Sequence, residues 1–257
     1  MHQPSRFLRS LMAAAIVVGF AGVSTAARAD LLDDVRAAKK IRVAIDLGSP
    51  PFGTTDSAMN PTGSDVETAR LLAKDLGVAL EIVPTTGANR IPFLQTGKAD
   101  VVISSLSVTP EREKVIDFST PYAKIQAVVA APKAVAVKSF ADLAGKRVAT
   151  ARGTTNDKIA TEGAKGAQIV RFDDDATLIT AITSGQVEIF ATSPAIVKTV
   201  ADKMPAAGIE SKFVMKEFPL GIGARKGENR MLSWINEWVA RNNGNGSLAT
   251  IYTRFHG

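Results

Sequence analysis

The sequence predicts an α/β fold built from two blocks of about equal size, each a mostly parallel sheet flanked by helices. Three observations carry this. From Ile41 onward, short apolar runs of strand length alternate with stretches of helical spacing. Glycines and hydroxyl caps punctuate those stretches where helices should start and stop. No Ser/Gly-rich linker, repeat or low-complexity tract separates the two blocks, so the chain should cross between them on strand-like segments and leave a hinged cleft.

The elements follow in order. "IRVAI" (41–45) reads as a strand, followed by the Pro/Gly loop "DLGSPPFG". "SDVETARLLAKDLG" (64–77) places Val66, Ala69, Leu72, Ala73 and Leu76 on one face of a helix, with Ser64 as its expected cap, Glu67 three residues on and Gly77 as its stop. "ALEIV" (79–83), the short helix "ANRIPFLQTG" (88–97) and the buried strand "DVVI" (100–103) complete the first run. In the second block "IQAVVAA" (125–131), the capped turn "SFADLAG" (139–145), "KRVATA" (146–151), "AQIVRF" (167–172), "DDATLITAITSG" (174–185) and "VEIFA" (187–191) repeat the style. "PAIVKTVADKM" is then a helix, and a strand pair is expected near 212–225. Two helices close the chain, the first with Trp234 and Trp238 at i, i+4 spacing, which suits a buried face.

The first residues stand apart. Arg6 and Arg9 precede an apolar stretch, Leu11 to Val23, and Ala27-Arg28-Ala29 offers a small-residue cleavage site before Asp30. This is the layout of a secretory signal over 1–29, with an apolar part short for a membrane span. Without cysteine a lipid-anchored version is excluded, as is a disulfide framework. Removing three arginines leaves 31 − 3 = 28 basic against 25 acidic residues, so the net charge falls from +6 to +3. That weak, scattered charge disfavours nucleic acid or an anionic membrane as partner. The two histidines, His2 and His256, leave no His/Cys set for a metal, and no cofactor is expected.

Three stretches carry candidate binding chemistry. In "SSLSVTPERE" (104–113) Thr109-Pro110 marks a helix start, and Arg112 sits in the first turn, where the helix dipole disfavours a cation. An anion bound just beyond that end would explain the arginine, with Ser104, Ser105 and Ser107 at the carboxyl end of a strand to orient it. A capped helix with a surface arginine would explain it too. "RGTTND" (152–157) opens a helix through Gly153, Thr154 and Thr155, whose free N–H groups favour an anion. Asp46 and Arg90 place charges near the same sheet edge, although a loop cap and a surface ion pair are the alternatives for them.

Taken together, "PPF" (50–52), "GSDVETARLLAKDLG" (63–77), "IPFLQTGKAD" (91–100), "SSLSVTPERE" with "VIDFSTPY" (115–122), "ADLAGKRVA" (141–149), "GTT" (153–155) and "IYTRF" (251–255) resemble the periplasmic solute-binding proteins for polar amino acids, the receptors of ABC importers. The resemblance covers nearly the whole chain from Ile41. It implies the type II binding-protein fold, with lobe 1 formed by 30–124 and 220–257, lobe 2 by 125–219, and crossings near 123–126 and 217–221. It also implies a monomeric periplasmic protein that closes on one ligand and delivers it to a permease. By the same resemblance Arg112 holds the ligand α-carboxylate with the backbone of Ser107 and Thr155. The Ser105 carbonyl and Ser107 hydroxyl meet the α-ammonium, and Phe52 and Thr154 belong to the same site.

The sequence departs from the family twice. Ser49 stands where an aromatic commonly stacks on the ligand, and Ser193 where an Asp commonly pairs with the ammonium. A hydroxyl cannot neutralise a buried ammonium. With Arg90 added and no cleft aspartate expected, the pattern favours an acidic amino acid or small dicarboxylate. Two rivals use the same fold: a cyclohexadienyl-dehydratase-like enzyme, which would need a general acid from Asp46 or Glu188, and the sensor lobe of a signalling system.

Overall fold

A computed structural model describes residues 30–256; the expected signal segment lies outside the described residues. Helix α1 (Leu31–Ala38) leads into strand β1 (Lys40–Asp46), and a small hairpin, β2 (Thr54–Thr55) with β3 (Pro61–Thr62), precedes α2 (Ser64–Leu76). Next come β4 (Ala79–Thr85), α3 (Arg90–Gln95), β5 (Val101–Val102), α4 (Pro110–Glu113) and β6 (Ile116–Phe118). The long strand β7 (Ala123–Pro132) opens a second run: β8 (Arg147–Ala151), α5 (Thr155–Gly163), β9 (Gln168–Phe172), α6 (Asp175–Thr183), β10 (Ile189–Thr192), α7 (Pro194–Lys203) and β11 (Ile209–Leu220). The chain then completes β12 (Gly223–Arg225), α8 (Asn229–Gly244) and α9 (Ser247–His256).

Two five-stranded sheets result, ordered β4-β1-β5-β12-β6 and β11-β7-β10-β8-β9. In each, one strand runs against the other four: β12 in the first and β7 in the second. This is the two-lobed α/β architecture that the alternation predicts. Each sheet carries apolar clusters on its faces. In the first, Ile41, Val43 and Ile45 pack with Leu72, Ile235 and Trp238 on one side, and Ala44, Val102, Leu94 and Leu106 pack together on the other. Trp238 is buried and donates its indole N–H to Asp75 at 2.8 Å, so the aromatic is held by both burial and a polar anchor.

Two local expectations need correction. The strand pair near 212–225 is not a pair: β11 runs beside β7, whereas β12 inserts between β5 and β6 of the other sheet. The intervening Gly221-Ile222 therefore carries the chain from one sheet to the other. Nor does Ser64 cap α2. The cap position is Gly63, at φ 124°. A β-carbon there would lie 2.3 Å from the Phe52 carbonyl, so only glycine lets the loop over residues 49–53 press against the helix start. The first free N–H groups of α2 are satisfied instead by Pro51 and Phe52 carbonyls, at 3.1 and 2.8 Å.

The link between the lobes is a ribbon. β7 and β11 pair antiparallel from Ala123↔Leu220 to Pro132↔Ile209, with two irregularities on the β11 side. Both chain crossings are thus neighbours in one ladder.

Candidate functional site

The carboxyl ends of β1 and β5 meet those of β8 and β10 across a cavity lined by Asp46, Ser49, Phe52, Arg90, Ser105, Ser107, Thr154, Thr155 and Ser193. Nine of the eleven residues singled out in the sequence therefore face one space. Its free volume of about 30 Å³ has room for roughly two or three waters. The two walls are closed on each other, and a molecule larger than a few waters needs them further apart to enter.

Each wall is built by local rules. On the first lobe, Ser49 and Gly53 exchange two backbone hydrogen bonds, at 3.0 and 2.9 Å, which brings Phe52 and Ser49 to the cavity. Ser105 adopts φ 41°, a left-handed conformation uncommon for serine. Its N–H lies towards the buried carboxyl of Asp65, in the first turn of α2, and lowers that carboxyl's pKa. The next residues are pinned by the hinge: Val108 N–H bonds Pro219, and Gly221 N–H bonds Leu106. On the second lobe, Thr154 caps α5 by accepting the Asp157 N–H at 3.1 Å, so the helix start faces the cavity with Thr155 and Asn156.

The two predicted residues off the lining have scaffold positions. The Ser104 hydroxyl accepts the Asp46 N–H at 3.0 Å, and its carbonyl accepts from Arg90 at 2.8 Å. Arg112 lies beyond the wall, in an outer groove with Glu111, Gly153 and Lys158. Its guanidinium donates to the Ser107 carbonyl at 2.9 Å and, across the lobes, to that of Gly153 at 3.4 Å. Burial and the charge of Arg90 lower its pKa to about 9, which keeps it cationic at neutral pH. Glu188, one of the two acids considered for an enzymatic role, lines a separate depression with Val135 and Gly185.

Arg90 is 5% exposed and lines the cavity itself. It donates to Gly87 at 3.1 Å and to Ser104, both backbone carbonyls. Burial lowers its pKa, while Asp46, Asp175 and Asp65 push the other way. Asp46 accepts the Gly48 N–H at 2.9 Å, and burial raises its pKa against the pull of Arg90.

The expectation of a cleft without an aspartate is wrong: both Asp46 and Asp175 line it. Asp175, the first residue of α6, lines the cavity and accepts the Ser49 hydroxyl at 2.6 Å. Burial raises its pKa to about 6. Asn156 and Gln126 also line the space and were not expected. Asp175 was hidden by a local explanation: an acid in a helix's first turn, behind the capping Asp174, suits the helix dipole and needs no other reason. The run of three aspartates at a strand end was the available signal.

Among the described residues, four polar side-chain contacts join the walls. Besides Ser49–Asp175 and Arg112–Gly153, the Ser107 and Thr155 hydroxyls meet at 3.2 Å, and Lys158 reaches Glu111 at 3.4 Å. The last is exposed and contributes little.

A closed cleft between two mixed sheets, lined by hydroxyls and charges of both signs, suits the enclosure of a small polar molecule. The profile of the bacterial extracellular solute-binding proteins, family 3, matches residues 41–257. The chain belongs to this family. Among its relatives, the L-cystine-binding protein TcyJ of Escherichia coli (strain K12) is 29% identical, over 100% of this chain and 97% of its own. The ABC transporter arginine-binding protein 1 of the same strain is 29% identical over 84% of this chain and 90% of its own. Among solved structures, the ancestral amino acid-binding protein AncCDT-1, described as a precursor of cyclohexadienyl dehydratase, matches with a TM-score of 0.80 and 34% identity, covering 88% of this chain and 99% of that one. The solute receptor for L-cysteine of Neisseria gonorrhoeae matches with a TM-score of 0.81 and 28% identity, over 87% and 92% of the two chains. The solute-binding proteins matched here are named for amino acids of different charge, so family membership leaves the side-chain preference open.

Proposed function

We propose that this solute-binding protein is the periplasmic receptor of an ABC importer and carries one polar amino acid in its interlobe cleft to a permease. In this reading residues 1–29 are removed on export, the protein acts as a monomer, lobe 1 comprises 30–124 with 220–257, and lobe 2 comprises 125–219. One observation carries the ligand class: the same cavity presents Arg90 and the start of α5 together with the carboxylates Asp46 and Asp175. An amino acid brings one charge of each sign, and this lining offers a partner for both. Its carboxylate faces Thr155, Asn156 and Ser107, with Arg112 behind Ser107 to hold that loop and add positive potential. Titration calorimetry against the common amino acids tests the reading. A ligand bound at micromolar or better affinity, weakened by Arg112→Ala, supports it; no binding by any of them refutes it.

An acidic side chain is the finer reading, favoured by Arg90, which makes no ion pair among the described residues. The two cleft carboxylates weigh against it, because they outnumber Arg90, the one arginine on the lining. Competition between L-glutamate and L-glutamine decides: displacement of bound glutamine by lower glutamate concentrations supports the acidic ligand. An enzymatic reading also has an observation behind it, since Asp175 is an acid with its pKa raised by burial, in the cleft of a chain similar to a dehydratase precursor. Turnover of prephenate would establish that activity, and its absence leaves transport.

A further inference from the structure

An amino acid buried in this cleft brings an ammonium group that needs a negative partner, because an unpaired buried cation is costly. Ser193, before α7, supplies only a hydroxyl. Two carboxylates line the cavity, Asp46 and Asp175. Asp46 is committed: it accepts the Gly48 N–H and faces the charge of Arg90 on its own wall. Asp175 stands on the opposite wall with one described partner, the Ser49 hydroxyl on Oδ2. Its Oδ1 has no hydrogen bond among the described residues, so it retains acceptor capacity towards the cavity.

We propose that Asp175 is the specificity residue that receives the ligand's ammonium group, replacing the charge that Ser193 cannot provide. This rests on the amino-acid reading above and names the residue that enforces it. The placement has a second effect. Because Asp175 belongs to lobe 2 and Ser49 to lobe 1, a carboxylate that holds both the ligand amine and the Ser49 hydroxyl ties capture to closure. Ligands of the class are α-amino acids; carboxylic acids of the same skeleton without the amine lose this contact and bind weakly.

The test compares two probes by calorimetry at pH 7.5: whichever of L-glutamine, L-glutamate, L-arginine and L-histidine binds the wild-type protein best, and its desamino analogue. The wild type should prefer the amino acid by about 100-fold or more, as loss of a buried charge partner implies. Asp175→Asn should collapse that preference to about tenfold or less, through lost amino-acid affinity with little change for the analogue. Ser193→Asp added to Asp175→Asn should restore part of it. Ser49→Ala, which breaks the closure contact and keeps the carboxylate, should weaken both probes and retain the preference.

The proposal is overturned if Asp175→Asn keeps the preference, or weakens both probes equally while far-UV circular dichroism stays native. It is also overturned if Asp46→Asn rather than Asp175→Asn removes the preference. If the wild type binds none of the four amino acids, the functional reading itself fails, which is a separate result.

Discussion

Gly87 of the first lobe lies against the backbone of Arg152 in the second, so that a β-carbon on it would stand 2.9 Å from the Arg152 carbonyl and 3.1 Å from Thr154 Cγ2. Two more glycines share this seam: Gly48 against Asp174, at 3.0 Å, and Gly153 against Ala88, at 2.7 Å. Gly153 also needs its positive φ of 71°, which would confound a substitution there. Gly87→Ala isolates closure instead, since its obstacle is the other lobe. Overpacking of about 1–3 kcal/mol against the closed state predicts an affinity loss of roughly tenfold or more. The melting temperature of the free protein should change little. Small-angle scattering with saturating ligand should show a larger radius of gyration than wild type; an unchanged affinity would mean that the seam yields.

Asp65 supports the site from behind at a cost in stability. Burial raises its carboxyl to about 7, even though it accepts the Tyr122 hydroxyl at 3.4 Å and the Ser105 N–H also pulls its pKa down. The folded chain therefore holds this proton above the pH at which the unfolded chain releases it, and stability falls as pH rises from about 4 to 7. Asp65→Asn keeps an acceptor for Ser105 without the charge. It should be more stable than wild type at pH 8 by roughly 1–3 kcal/mol, with the difference shrinking towards pH 5, as read from urea midpoints.

Ligand affinity should depend on the ionisation of Asp175, which has its pKa raised to about 6 by burial. Asp46, Arg90 and Asp174 act on it as well, the two acids raising and the arginine lowering its pKa. An ammonium partner favours the ionised form, so affinity is full above pH 6 and declines as pH falls through that value. Binding near pH 6 should release protons, detectable as a calorimetric heat that varies with the buffer's ionisation enthalpy. Asp175→Asn should flatten both effects; a wild-type affinity independent of pH between 5 and 8 would exclude them.

The end of α9 backs the cleft through aromatic contacts. His256 stacks on Tyr252 with ring centroids 4.0 Å apart, tilts on Phe52 at 4.6 Å, and meets the Ser64 hydroxyl at 3.0 Å. Burial lowers its pKa to about 4, below the ordinary value of 6.5. Its stabilising effect is then present above pH 6.5 and lost as pH falls towards 4, where the unfolded chain takes up the proton first. His256→Ala should lower stability at pH 7.5 by about 0.5–1.5 kcal/mol, and by less at pH 5. Equal losses at both values would show that the histidine does not stay neutral in the fold.

Features explained by neighbours in the chain were legible in the sequence. Thr154 and Thr109 cap their helices as their hydroxyls and positions foretell, accepting from residues three further on. The strands of both sheets fall close to the apolar runs. Features fixed by distant partners were not. Asp175 meets Ser49 across 126 residues, and nothing beside either one announces it. Arg112 was legible as an out-of-place cation; that it grips carbonyls of both lobes from outside the cavity depends on tertiary geometry. The Ser64 cap failed for the same reason, because a loop from elsewhere already occupies the helix start.

The position of β12 sets an order of assembly. The first sheet has this strand between β5 and β6, yet it is supplied by residues 223–225, after the whole second sheet has been made. A chain emerging from the ribosome can thus complete lobe 2 as a continuous unit, while lobe 1 waits with an open gap between two of its strands. Every residue of the cavity lining has by then been made, the last being Ser193, but the wall that carries Asp46 and Arg90 stands on a sheet still missing one of its strands.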